Sequence, residues 1–129
     1  MVGIVVISHS SKIAEGAIEL AKEMAPSVVM VSAGGTSDKR IGTDMEKILE
    51  GINEVYSEDG VIVLFDLGSA LMNAQMAVEL LDEEMQKKVI IVDAALVEGT
   101  VVAAVQSSIG SDLLEIEKSL QSISLNKMQ

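Results

Sequence analysis

Val2-Gly3-Ile4-Val5-Val6-Ile7-Ser8-His9-Ser10-Ser11-Lys12-Ile13-Ala14-Glu15-Gly16 decides how this 129-residue chain folds. Its first half is a β-branched apolar run, too short to cross a membrane and of the kind that forms a buried strand. The run stops at Ser8-His9-Ser10-Ser11. Beyond it, Ala14, Ala17, Ile18, Ala21 and Met24 recur at three- and four-residue spacing, which predicts the apolar face of a helix. The one histidine of the sequence therefore stands where a strand hands over to a helix. In parallel α/β sheets, ligand sites gather at the carboxyl ends of strands, and a helix start there offers unpaired N–H groups to an anion.

The same alternation continues outward. Pro26 ends the first helix, and Val28–Ser32 predicts a second strand. A polar, turn-rich loop runs from Ala33 to Gly42. Thr43-Asp44-Met45-Glu46 has the spacing of a capping box, with Met45, Ile48, Leu49 and Ile52 as the helix face behind it. Val61–Phe65 reads as the third strand and ends in Asp66-Leu67-Gly68-Ser69, before a helix with Leu71, Ala74, Val78 and Leu81 on one side. Val89–Val92 is the fourth strand. A loop is expected over Ala94–Gly99, a short helix over Thr100–Ser108, and a last helix after Gly110-Ser111-Asp112 with Leu113, Ile116, Leu120 and Ile123 inward. The tail from Leu125 to Gln129 is expected to fray.

Four apolar strands alternating with helices predict a three-layer, doubly wound α/β fold with one parallel sheet covered on both faces. Right-handed crossovers restrict the order, and 2-1-3-4 makes neighbours of the loops carrying His9 and Asp66. The length suits a single domain over 1–129 with a substantial core. The helices carry more apolar positions than a four-stranded sheet can cover. Val101, Val102, Val105 and Ile109 are therefore candidates for a seam between two copies.

Composition removes several classes of function. The formal net charge of −11 and the lack of Lys/Arg clusters disfavour nucleic acid, and with Tyr56 and Phe65 as the only aromatics there is no platform for stacking bases. A hydrophobic fraction of 49% and a mean hydropathy of +0.42 mark a globular chain, and no apolar run approaches the ~20 residues of a spanning helix. No signal peptide and no membrane partner are expected, and the expected location is cytoplasmic. Cysteine is absent, so disulfides and thiol chemistry are excluded.

The candidate chemistries narrow in the same way. One histidine and no cysteine make a poor metal site, so no metal and no cofactor are expected. There is no G-x-S-x-G elbow, no Walker spacing between Gly35 and Gly42, and no G-x-G-x-x-G after the first strand. A receiver-type aspartyl phosphate at Asp66 would want acidic residues after the first strand, where this chain has Ser8-His9-Ser10. A small-ligand sensor module on a flavodoxin-like fold stays as the non-enzymatic alternative. What remains on the chemical side is a nucleophilic histidine. An imidazole with an unperturbed pKa near ~6.5 is mostly neutral at neutral pH and can attack phosphorus. A carboxylate on its other nitrogen orients the ring and stabilises the cation that forms. Asp66 is the right residue type on the right edge; its structural alternative is a helix cap. Ser10, Ser11 and the first N–H groups of the following helix can hold phosphoryl oxygens.

Four segments also carry a family resemblance: Val6–Ser10, Gly34–Thr43, Asp66–Asn73 and Leu96–Gly99. In this order and spacing the chain resembles the mannose-class IIA domains of the bacterial phosphoenolpyruvate-dependent phosphotransferase system. Within that class it is most similar to the DhaM-type phosphocarrier subunits of dihydroxyacetone kinases. The resemblance implies that His9 accepts a phosphoryl group from HPr and passes it to ADP held on a DhaL subunit, with DhaK binding the dihydroxyacetone that is finally phosphorylated. It implies that Asp66 lies beside the active histidine. It further implies that the loop containing Gly35 and Thr36, together with Gly68 and Ser69, lines the site or docking surface. Lys39 and Arg40 of that loop are then candidates for partner docking, and a homodimer is expected. The loop Ala94-Ala95-Leu96 departs from the family by lacking a proline. A sugar-transporter IIA domain donating to a IIB protein is the alternative within the class.

Overall fold

The computed structural model describes residues 1–128 and contains one four-stranded, all-parallel sheet. Its strands are β1 (Gly3–Ser8), β2 (Met30–Gly34), β3 (Val61–Phe65) and β4 (Val89–Val92), in the order β2-β1-β3-β4. Ile4 pairs with Met30 on one side and Ile62 on the other, so the carboxyl ends of β1, β2 and β3 finish level. The expected 2-1-3-4 order, with its switch point between β1 and β3, is the observed one.

The strands alternate strictly between two cores, as the two-residue period of a pleated strand requires. Ile4, Val6, Ile62, Leu64 and Val92 point to one face. There they meet α1 (Ser11–Met24), α5 (Leu96–Ser108) and α6 (Leu113–Leu120) through Ala14, Ala17, Ala103, Ala104, Ile116 and Leu120. Val5, Ile7, Val61, Val63 and Phe65 point to the other face, against Ile48 and Ile52 of α2 (Met45–Val55) and Ala70, Ala74 and Ala77 of α3 (Ala70–Glu79). Alanines dominate the α1–α5 contact, so the two helices lie close together over β1.

The structure departs from the sequence reading in several places, each with a local cause. Met24 is exposed; α1 buries Ala14, Ala17, Ile18 and Ala21, and Met24 falls off that face at the end of the helix. Strand β2 starts two residues later than expected and runs through Gly34, which sequence reading takes for loop. A Cβ on Gly34 would lie 2.8 Å from the Ser10 carbonyl oxygen and the Ser11 Cα, so glycine lets the strand pass beneath the start of α1. The cap of α2 is Asp44 rather than Thr43, and its carboxylate accepts from the Glu46 and Lys47 amides. Leu81 is buried just beyond the end of α3. A one-turn helix, α4 (Glu83–Gln86), buries no residue and so leaves no apolar pattern in the sequence; Asp82 caps it through the Met85 amide.

Helix α5 begins at Leu96, four residues before the expected start, and contains Gly99. A Cβ there would stand 3.0 Å from Leu64 Cδ2, so this glycine brings α5 onto β3 instead of ending a loop. The tail over 125–128, expected to fray, is instead hydrogen-bonded to the domain. The Leu125 and Met128 amides donate to the two oxygens of Asp93, and Lys127 reaches back to the sheet. Gln129 lies outside the described residues.

Candidate functional site

The site lies at the carboxyl ends of β1 and β3. Ser8, the last residue of β1, is fully buried, and its hydroxyl donates to Asp66 Oδ2 (2.8 Å) while accepting from the Ser10 amide (3.0 Å). That arrangement fixes the turn on which His9 rides. Asp66 begins the loop after β3, tied to β1 by its own amide, which donates to the Ile7 carbonyl (3.2 Å). The Asp66 carboxylate then collects four donors: the Ser8 hydroxyl, the His9 amide (2.9 Å), the His9 ring through Nδ1 (3.0 Å) and the Leu67 amide (2.7 Å). Burial pushes this carboxyl upward. The His9 amide, the His9 ring, the Leu67 amide and the Ser8 hydroxyl outweigh it, and the carboxyl is held below its ordinary value.

An ionised Asp66 is an acceptor only, which assigns the proton of a neutral His9 ring to Nδ1. Nε2 then carries the lone pair and accepts from the Ser69 hydroxyl at 2.9 Å. Ser69 stands at the N-cap of α3 but makes no capping bond; its hydroxyl is turned to the histidine instead. The His9 and Asp66 side chains are both largely shielded, with 22% and 16% of their surface exposed.

Of the residues singled out in the sequence, the structure brings His9, Asp66 and Ser69 into direct contact. Ser10 caps α1, accepting from the Ile13 amide at 3.4 Å. Ser11 is the first residue of α1, whose opening amides have no partner within the helix. Gly35, at φ +71°, donates its amide to the Ser8 carbonyl (3.0 Å); a Cβ there would be 3.4 Å from the Ser11 nitrogen. Thr36 is not brought to His9, because its hydroxyl bonds Asp38 and the Arg40 amide within its own loop. Lys39 and Arg40 are exposed, and the Arg40 guanidinium pairs with Asp38. Their loop is nonetheless tethered to the site, since the Gly42 amide donates to the His9 carbonyl (2.8 Å). Gly68 lies in the exposed turn between Asp66 and α3.

Two residues escaped sequence reading. Ser8 left a faint signal, a hydroxyl closing an otherwise apolar strand. Lys127 left none, because it lies in a polar tail. Its ammonium donates to the carbonyls of Phe65 (2.5 Å), Ala94 (2.8 Å) and Asp66 (3.1 Å), and sits 4.5 Å from the centroid of the Phe65 ring. Among the described residues no group of three or more His, Asp or Glu could hold a metal ion. No helix there is long and apolar enough to cross a membrane.

Comparison with known proteins places the chain in a family. Residues 3–117 match the EIIA-man family model, described as the PTS system fructose IIA component. The chain is 44% identical over 108 residues to the phosphoryl donor subunit DhaM of PEP-dependent dihydroxyacetone kinase 2 from Listeria innocua, covering 83% of this chain and 86% of the relative. It is 32% identical over 125 residues to the phosphotransferase subunit DhaM of Lactococcus lactis, covering 97% and 98%. Against the DhaM subunit of Escherichia coli the identity is 44% over 117 residues, but the match spans 88% of this chain and only 25% of that longer protein. A crystal structure of a protein of unknown function superposes with a TM-score of 0.84 at 34% identity, covering 96% of both chains. A sigma-54 interaction domain protein from Enterococcus faecalis shares the fold, with a TM-score of 0.69 at 19% identity over 94% of this chain and 88% of that one.

Proposed function

The chain belongs to the mannose-class IIA family of the phosphotransferase system, and from that premise we propose that it is the phosphohistidine carrier of a phosphoenolpyruvate-dependent dihydroxyacetone kinase. The similarity to DhaM subunits over most of this chain supports the system; the contact of His9 with Asp66 supports the chemistry. In this reading residues 1–129 act as one IIA-type domain, in the cytoplasm and as a homodimer.

The carrier cycle follows from the ring. His9 Nε2 attacks the phosphorus of phosphorylated HPr; the new N–P bond forms as the old one breaks, and the leaving electron pair returns to the HPr imidazole. The proton on Nδ1 stays in place, and Asp66 stabilises the positive ring that results. Ser69 turns its hydroxyl from Nε2 to a phosphoryl oxygen, and the first amides of α1 stand ready for the others. In the second half, a β-phosphate oxygen of ADP attacks, the N–P bond breaks, and its electron pair returns to Nε2. The chain, at −11, repels free ADP, so the nucleotide must be held by a partner, DhaL, and brought in line. The ATP formed then serves dihydroxyacetone bound to DhaK. Lys39 and Arg40, on the loop tethered to His9, dock that partner.

The test is discharge of the phosphorylated protein. It should be stable with Mg·ADP alone and discharge rapidly when ADP-loaded DhaL is added, and reversing the charges of Lys39 and Arg40 should slow discharge more than charging by HPr. Discharge by a mannose-type IIB protein and none by DhaL would move the chain to the sugar-transporter branch.

A further inference from the structure

We propose that Lys127 is a positioning residue for the His9–Asp66 pair, holding the peptide unit that aims the Asp66 carboxylate. The inference rests on the carrier reading only for its kinetic consequence.

The sheet leaves a gap at this point. Pairing between β3 and β4 ends at Leu64 and Val92, so the carbonyls of Phe65, Asp66 and Ala94 lie beyond the ladder. The Lys127 ammonium fills the gap by donating to all three. Three acceptors require three N–H donors, which only the charged amine has. The ammonium also stands over the Phe65 ring, 4.5 Å from its centroid, and the Lys127 carbonyl lies 3.4 Å from where a Cβ on Gly68 would be, so the segment also covers the loop between Asp66 and α3. The segment itself is pinned by Asp93, which accepts from the amides on either side of Lys127, those of Leu125 and Met128.

The link to chemistry is a single peptide plane. The Asp66 carbonyl bonded by Lys127 and the Leu67 amide bonded to Asp66 Oδ1 belong to the same peptide unit. That unit is planar, so fixing its oxygen fixes the direction of its N–H. On the other side the Asp66 amide is fixed by the Ile7 carbonyl. Without the ammonium this peptide can rotate and carry the Leu67 N–H off Oδ1. The same Oδ1 receives His9 Nδ1, so the ring loses the carboxylate that sets its tautomer. Burial holds the Lys127 ammonium below the ordinary lysine range, opposed in part by the charges of Asp93 and Asp66.

The chain has no cysteine, so Lys127→Cys creates a unique thiol that 2-bromoethylamine converts into a lysine isostere. Phosphoryl uptake from phosphorylated HPr should fall at least ~10-fold in Lys127→Cys, the scale expected when a reacting group is misplaced by a fraction of an ångström, and should return on aminoethylation. Lys127→Met keeps an unbranched apolar side chain of similar length without the charge and should lose rate equally. Independently of any transfer, nitrogen NMR of the His9 ring should show protonation at Nδ1 in the wild type and a mixture of tautomers in both variants. Wild-type rate and tautomer in folded Lys127→Met, or a loss in Lys127→Cys that aminoethylation does not restore, would overturn the proposal. A wild-type protein that takes up no phosphoryl group would defeat the carrier reading instead, and the tautomer would still decide the role of Lys127.

Discussion

Asp66 is the residue on which the site turns, because it receives both the backbone and the ring of His9. Asp66→Ala should slow phosphoryl uptake by ~10²-fold or more, the range of positioned acid–base partners, with little change in circular dichroism. A wild-type rate would reduce Asp66 to a structural residue. Its depressed pKa also sets a pH dependence. A carboxyl with a lowered folded value contributes stability that is fully present above its unfolded pKa of about 3.9 and is lost as pH falls through the folded value. Carboxyl NMR should therefore show Asp66 titrating below the ordinary aspartate value, and urea midpoints should fall more in the wild type than in Asp66→Asn over that acid window. At this scale the sequence was informative where residue type and strand position coincide, as for His9, Asp66 and Ser69. It was silent on Lys127, whose role depends on where a polar tail docks, and tail docking leaves no periodic trace.

The elements were legible wherever apolar spacing was strong. Strands β3 and β4 fall where their β-branched runs lie, and α1 follows its alanine stripe. Two of the departures fall at glycines. Gly34 and Gly99 fall within expected loops, yet each lies inside an element because two backbones or a backbone and a side chain meet there. Sequence spacing cannot separate a glycine that bends the chain from one that makes room. Gly34→Ala tests this directly. Its Cβ would meet backbone atoms of Ser10 and Ser11, which cannot move without moving His9. We expect a loss of about 1–3 kcal/mol, the usual cost of overpacking, read from the urea midpoint, together with slower phosphoryl uptake. An unchanged midpoint would show that the start of α1 yields easily.

At the scale of the molecule, the 2-1-3-4 order is what brings the two chemistry-bearing loops together, and it followed from connection rules more than from any one residue. The seam between copies is a proposal of the same scale. Within one chain Val101 and Val102 pack in part against the core, while Ile109 is 70% exposed. Light scattering should give a dimer mass at micromolar concentration, and Ile109→Glu should shift it toward monomer; a monomeric wild type would count against the seam. The central claim is that this molecule carries a phosphoryl group on its single histidine. Incubation with phosphoenolpyruvate, enzyme I and HPr, followed by intact mass, tests it most directly. The account predicts one acid-labile, base-stable phosphoryl group on the wild type and none on a folded His9→Ala protein. An unlabelled wild type, or labelling that persists in His9→Ala, would contradict it.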